Sequence, residues 1–66
     1  MRYFFVTYYM LNNRGTKLGS EPVVFKFYAP GIINPYGLAF ARMLLEYGRS
    51  IGLSGSQVEI ISIAEG

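Results

Sequence analysis

Six tyrosines (Tyr3, Tyr8, Tyr9, Tyr28, Tyr36 and Tyr47) and four glutamates (Glu21, Glu46, Glu59 and Glu65) make up most of the side-chain chemistry this chain offers. It has no histidine, no cysteine and no aspartate. That removes the Ser-His-Asp and Cys-His nucleophile systems, the imidazole general base and the common structural zinc ligands. Of the glutamates, only Glu46 sits at helical spacing from other charges. Arg42 and Arg49 fall at i−4 and i+3 from it, which predicts a surface ion pair rather than an acid catalyst. Gly52-Leu53-Ser54-Gly55-Ser56 has the composition of a phosphate cradle. It lacks the lysine of a P-loop and follows a helix instead of opening one, so it reads as a helix stop and a loop. The chain is expected to be no enzyme and to carry no cofactor.

Tyrosines serve two other purposes. On an antiparallel sheet they stabilise cross-strand pairs. At interfaces they supply large contact area at low entropic cost. Which purpose applies depends on the elements that carry them. Tyr3-Phe4-Phe5-Val6-Thr7-Tyr8-Tyr9-Met10-Leu11 is aromatic or aliphatic at nearly every position. A strand that covered a single core would alternate apolar with polar, because successive side chains point to opposite faces. Both faces of this strand are therefore expected to meet something, either within the chain or on a partner.

Strand 1 is expected from about Arg2 to Leu11, and Asn12 to Lys17 supplies turn-tolerant residues. Strand 2 follows between Leu18 and Tyr28. Pro22, with no N–H to donate, marks it as a sheet edge. Asn34-Pro35 reads as the N-cap and first residue of a helix running to Ile51. Ile33 and Leu38 stand at staple positions, and Gly52 supplies the left-handed stop. The expected apolar arc of this helix holds Gly37, Leu38, Phe40, Ala41, Leu44, Leu45, Gly48 and Ile51. Its glycines fit a close approach to a bulky sheet or, as the alternative, a helix-helix contact across a dimer. A third strand, Gln57 to Ala64, is expected to set Val58, Ile60 and Ser62 on one face and Glu59, Ile61 and Ile63 on the other. The reading is a single α+β domain over residues 1–66, with ββαβ element order. Its three-stranded antiparallel sheet has order 2-1-3, and one helix packs on one face.

That arrangement leaves a sheet face uncovered in a chain that is 52% hydrophobic and only 15% charged, against about 25% charged in an average soluble domain. A chain of 66 residues is marginal without a disulfide, a metal or a partner. The first two are missing, so self-association, a homodimer in the simplest case, is expected by elimination. The longest apolar run, Tyr3 to Leu11, falls short of the roughly 20 residues of a spanning helix. No small-residue cleavage site follows it, so a cytoplasmic, unprocessed chain is expected. The net charge of +2 comes from dispersed cations rather than a basic stripe.

Phe4, Val6, Tyr8 and Met10 are the more uniformly apolar set of strand 1 and suit the helix-facing core. Tyr3, Phe5 and Tyr9 share the opposite parity and are candidate partner-binding residues. Tyr36, Met43 and Tyr47 fall outside the expected helix arc and form a second candidate patch. The function expected first is a protein-interaction module that binds itself and another protein. The alternative is a weak single-stranded nucleic-acid binder, its bases stacked on the open-face aromatics beside Arg2, Arg14, Lys17 and Lys26. A small molecule between sheet and helix would find few convergent polar groups.

The opening Tyr3-Phe4-Phe5-Val6-Thr7-Tyr8, the hairpin from Gly15 to Gly19 and the closing segment from Val58 to Glu65 together resemble small phage- and prophage-encoded ββαβ proteins. The resemblance implies an accessory protein that acts by binding, or inhibiting, a host or phage component.

Overall fold

Aromatic and β-branched side chains favour a pleated, half-buried surface, and they dominate the first half of this chain. In the computed structural model, which describes residues 2–29 and 34–66, the elements are β1 (Arg2–Leu11), β2 (Lys17–Ala29), α1 (Leu38–Ser50) and β3 (Gln57–Glu65). The sheet has order β2-β1-β3 and is antiparallel throughout. This is the ββαβ arrangement that the sequence predicts, with the most apolar strand in the centre.

Asn12 closes the hairpin. Its Oδ1 accepts the N–H groups of Arg14 and Thr16, both at 2.9 Å, while Gly15 takes a φ of +80° that glycine adopts without strain. β2 leaves register with β1 after Tyr8↔Val23 and rejoins it at Met10↔Leu18. The excursion between them contains Pro22, which loses no ladder hydrogen bond at this edge. β3 has a second irregularity, between Thr7↔Ser62 and Tyr8↔Ile60, which leaves Ile61 as the extra residue. One extra residue reverses the parity of everything beyond it. Val58 and Ile60 share the helix side with Met10 and Tyr8. Ile63 also lies on that side, opposite Val6, and Ser62 joins Thr7 on the other face. The strict alternation expected for this strand is corrected accordingly.

The helix begins later than its sequence signals suggest. It spans Leu38–Ser50, and Gly37 is its N-cap without a side-chain cap bond. Asn34 is occupied by a turn instead. Its Oδ1 accepts the Tyr36 N–H at 3.0 Å and its carbonyl accepts the Gly37 N–H at 3.1 Å. Asparagine followed by proline serves a turn as well as an N-cap, and here the turn wins. Ile33, half of the expected staple, lies outside the described residues, and Leu38 is exposed. The C-terminal stop is as read. Gly52, at φ +99°, donates its N–H to Arg49 O at 3.1 Å, and Leu53 donates to Gly48 O at 3.0 Å, the Schellman pattern. Arg49 does not pair with Glu46. Its Nε and Nη2 donate to Gly55 O at 3.2 and 2.9 Å, fastening the loop that leads into β3. The ion pair among the described residues joins Arg2 Nε to Glu65 Oε1 at 3.2 Å.

The core lies between α1 and the even positions of β1. Phe4, Val6, Tyr8 and Met10 are buried there against Phe40, Leu44 and Gly48. Gly48 sets the closeness of the approach, since a Cβ at that position would stand 2.7 Å from Met10 Cγ. The Tyr8 hydroxyl donates to Leu44 O at 2.7 Å. Burial pushes the Tyr8 phenol up to about 12, with the neighbouring Tyr47 adding to the effect.

Candidate interaction surface

The odd positions of β1 build the other face of the sheet. Tyr3, Phe5, Thr7, Tyr9 and Leu11 are each half-buried there, and no element among the described residues lies over them. Residues directly opposite one another in an antiparallel pair share a face. The register therefore places Tyr28, Lys26 and Val24 of β2 on this face beside Tyr3, Phe5 and Thr7. Ala64, Ser62, Glu59 and Gln57 of β3 lie on it beside Phe5, Thr7, Tyr9 and Leu11.

Two clusters form on this face. At one end, the Tyr3 ring meets Phe5 edge-on at 4.9 Å and Tyr28 at 4.5 Å. The Lys26 ammonium lies 4.9 Å from the Tyr3 centroid and 5.9 Å from that of Phe5. At the other end, the Lys17 ammonium sits 4.4 Å over the Tyr9 ring, and Glu59 is the cross-strand neighbour of Tyr9. Cation–π contacts at exposed sites contribute about 0.5–1 kcal/mol each. They hold the lysines beside the rings of this face. Between the clusters the face is smaller and more polar, with Thr7 opposite Ser62. Tyr28 remains 66% exposed and Val24 56%.

The second expected patch does not hold together. Tyr36, in the turn ahead of α1, is 96% exposed. Tyr47 lies near the other end of the helix, roughly 13 Å along its axis from Leu38 at ~1.5 Å per residue. Met43 and Tyr47 both pack against the core. The Tyr47 ring stacks on Phe25 of β2 at 4.3 Å, and Phe40 approaches Phe27 at 6.1 Å. These contacts turn the Tyr47 side of the helix onto Phe25. This brings Met43 and Tyr47 into the apolar side and leaves Leu38 and Ile51 outward. The helical arc read from the sequence is corrected by that roll, and Tyr47 has an intramolecular explanation.

Of the cations expected beside the sheet, Lys17 and Lys26 reach the open face. Arg2 shares the parity of Phe4 and is paired with Glu65, and Arg14 lies in the hairpin loop. Glu59 and Tyr28 join the face without having been read as part of it. For Glu59 the usable signal was its spacing from Val58 and Ile60 in β3. Tyr28 required the hairpin register.

The groove between the end of β2 and the start of α1 is lined by Phe27, Leu38, Phe40 and Met43, with Asn34 at its rim. Asn34 is already engaged in its turn. Among the described residues no helix is long and apolar enough to cross a membrane. In comparisons with known proteins, no family model, no curated protein and no solved structure matches this chain.

Proposed function

We propose that this protein is a non-enzymatic interaction module that self-associates through the open face of its sheet and presents the resulting homodimer to another protein. The observation that carries this reading is the row Tyr3, Phe5, Tyr9 and Leu11, half-buried on a face over which no element lies among the described residues. The core of a two-sheet sandwich is built from such rows. The available area supports the same reading. Ten residues of β1 at ~3.4 Å each, across three strands ~4.8 Å apart, give a planar footprint of roughly 480 Å². The broad cross-section of the molecule, 34 × 21 Å, sets an upper bound of about 700 Å² per copy, so a face-to-face dimer would bury ~1,000–1,400 Å² in total, at the lower end of stable interfaces.

The test is size-exclusion chromatography with light scattering on the wild-type chain and on Phe5→Ser and Tyr3→Ser variants. The wild-type chain should run as a dimer at tens of micromolar. The variants should run as folded monomers, with circular dichroism unchanged. A wild-type chain that is monomeric throughout this range overturns the proposal.

A second reading, weak single-stranded nucleic-acid binding, is favoured by the positions of Lys17 and Lys26 beside the same aromatics. Glu59 on that face opposes it. Two lysines can neutralise few phosphates, so such binding should weaken steeply between low and physiological salt. Tight binding of a short oligonucleotide at physiological salt would favour it over the first reading.

A further inference from the structure

The charges on the open face are segregated. Lys17 and Lys26 lie on the β2 side of β1, and Glu59 lies on the β3 side. Their levels along β1 also differ. The Lys17 ammonium reaches the level of Tyr9, where Glu59 sits across the strand. Lys26 stands at the level of Phe5, and the residue across from it is Ala64. This layout distinguishes the ways in which two copies can meet.

Two identical faces can be brought together only by a two-fold axis lying in the interface. An axis at 45° to β1 crosses the sheets at right angles. Two narrow three-stranded faces then overlap over only about 200 Å² per copy, at ~4.8 Å between strands. An axis perpendicular to β1 reverses the strand direction. It keeps β2 over β2, so that each Lys17 faces the second copy's Lys26 end and like charges meet along the β2 rim, while Glu59 is left over the second copy's Ala64. An axis parallel to β1 preserves the strand direction and lays β2 over the second copy's β3. Lys17 of each copy then stands over Glu59 of the other, at the level of Tyr9. Lys26 stands over Ala64, with its ammonium beside the Tyr3 and Phe5 rings.

We infer that two copies of this chain stack open face on open face about a two-fold axis parallel to β1, joined at one end by two reciprocal Lys17–Glu59 pairs. The inference rests on the self-association proposed above and adds its geometry. Aligned sheets pack ~10 Å apart and cross at about 30°. An extended lysine and an extended glutamate together bridge that spacing. The crossing angle requires the axis to tilt from β1 by only about half of it, which keeps the two charges of each pair within reach.

The test is a charge-reversal set measured by sedimentation equilibrium on the full chain at low salt. Glu59→Lys and Lys17→Glu each place like charges at both pairs, and each should weaken dimerisation about tenfold or more. The double variant Lys17→Glu/Glu59→Lys should return to within about threefold of wild type, because the reversed pair is again complementary. Neutral Lys17→Gln and Glu59→Gln variants, which disturb the fold less, should lose affinity by less than the reversals. Lys26→Glu separates the two axes. It should change dimerisation by less than about threefold if the axis is parallel to β1, and should strengthen it if Lys26 faces Lys17. A dimer that the double variant does not restore, or that Lys26→Glu strengthens, overturns this geometry while leaving self-association in place. A monomeric wild-type chain, as expected if another protein or a nucleic acid covers the face, overturns both.

Discussion

Replacing Tyr8 by phenylalanine removes one oxygen from the centre of the core and changes almost nothing else. The Tyr8 hydroxyl donates to Leu44 O at 2.7 Å, and both residues are fully buried. Leu44 lies within α1, so its carbonyl keeps its place in the helical ladder and is not orphaned by the substitution. The loss should therefore be that of one ordinary hydrogen bond, about 1 kcal/mol. For a domain of this size that corresponds to a fall in melting temperature of ~4–8 °C. The same substitution alters the alkaline limb. The Tyr8 phenol titrates at about 12 because burial disfavours its charged form, with the charge on Tyr47 adding to this. A free tyrosine titrates near ~10. The unfolded chain therefore releases this proton first. The contribution is fully present below pH ~10, is lost as the pH rises toward ~12, and does not fall further above that. Thermal unfolding followed by circular dichroism between pH 7 and 12 should show wild type losing stability over this window more steeply than Tyr8→Phe. Identical melting temperatures at pH 7 together with superimposable alkaline profiles would refute the placement of Tyr8 against Leu44.

Three further substitutions test the parts that position the open face. Gly48→Ala forces a Cβ toward Met10 Cγ; overpacking of about 1–3 kcal/mol outweighs the ~1 kcal/mol gained in helix propensity, so urea unfolding should report a net loss. Arg49→Met removes both donors to Gly55 O, and hydrogen exchange should quicken from Gly52 to Ser56 with a stability loss of about 1 kcal/mol. Phe4→Ala, in the core opposite Phe27, should cost roughly 3–5 kcal/mol, whereas Phe5→Ala on the other face should leave the monomer folded.

The parity of β1 rested on a single residue, because its two sets read almost alike. Thr7 interrupts the odd set, while the even set is apolar throughout, and burial follows that difference. The edge position of β2 was legible from Pro22, and the helix stop from Gly52. What escaped the sequence was decided by competition between local devices with identical residues. Asn34-Pro35 signals a turn and an N-cap with the same side chain, and only the hydrogen bonds of Asn34 Oδ1 separate them. The irregularity at Ile61 leaves no mark in a run of Ile-Ile-Ser-Ile, yet it decides which residues of β3 face the helix. Tyr47 looked like a surface residue on the helix alone. Its burial comes from Phe25, a partner set by the hairpin register. Lys17 and Lys26 were legible as cations, but not as residues of one face.

The most direct measurement of the central claim is hydroxyl-radical footprinting read by mass spectrometry at protein concentrations below and above dimerisation. Tyr36, at 96% exposure, serves as the internal reference, while Tyr3, Phe5, Tyr9 and Tyr28 report on the open face. As concentration rises, these four should become protected together while Tyr36 keeps its reactivity. Open-face aromatics that react equally at every concentration, or protection confined to Tyr36 and its turn, would contradict an interface built on this sheet.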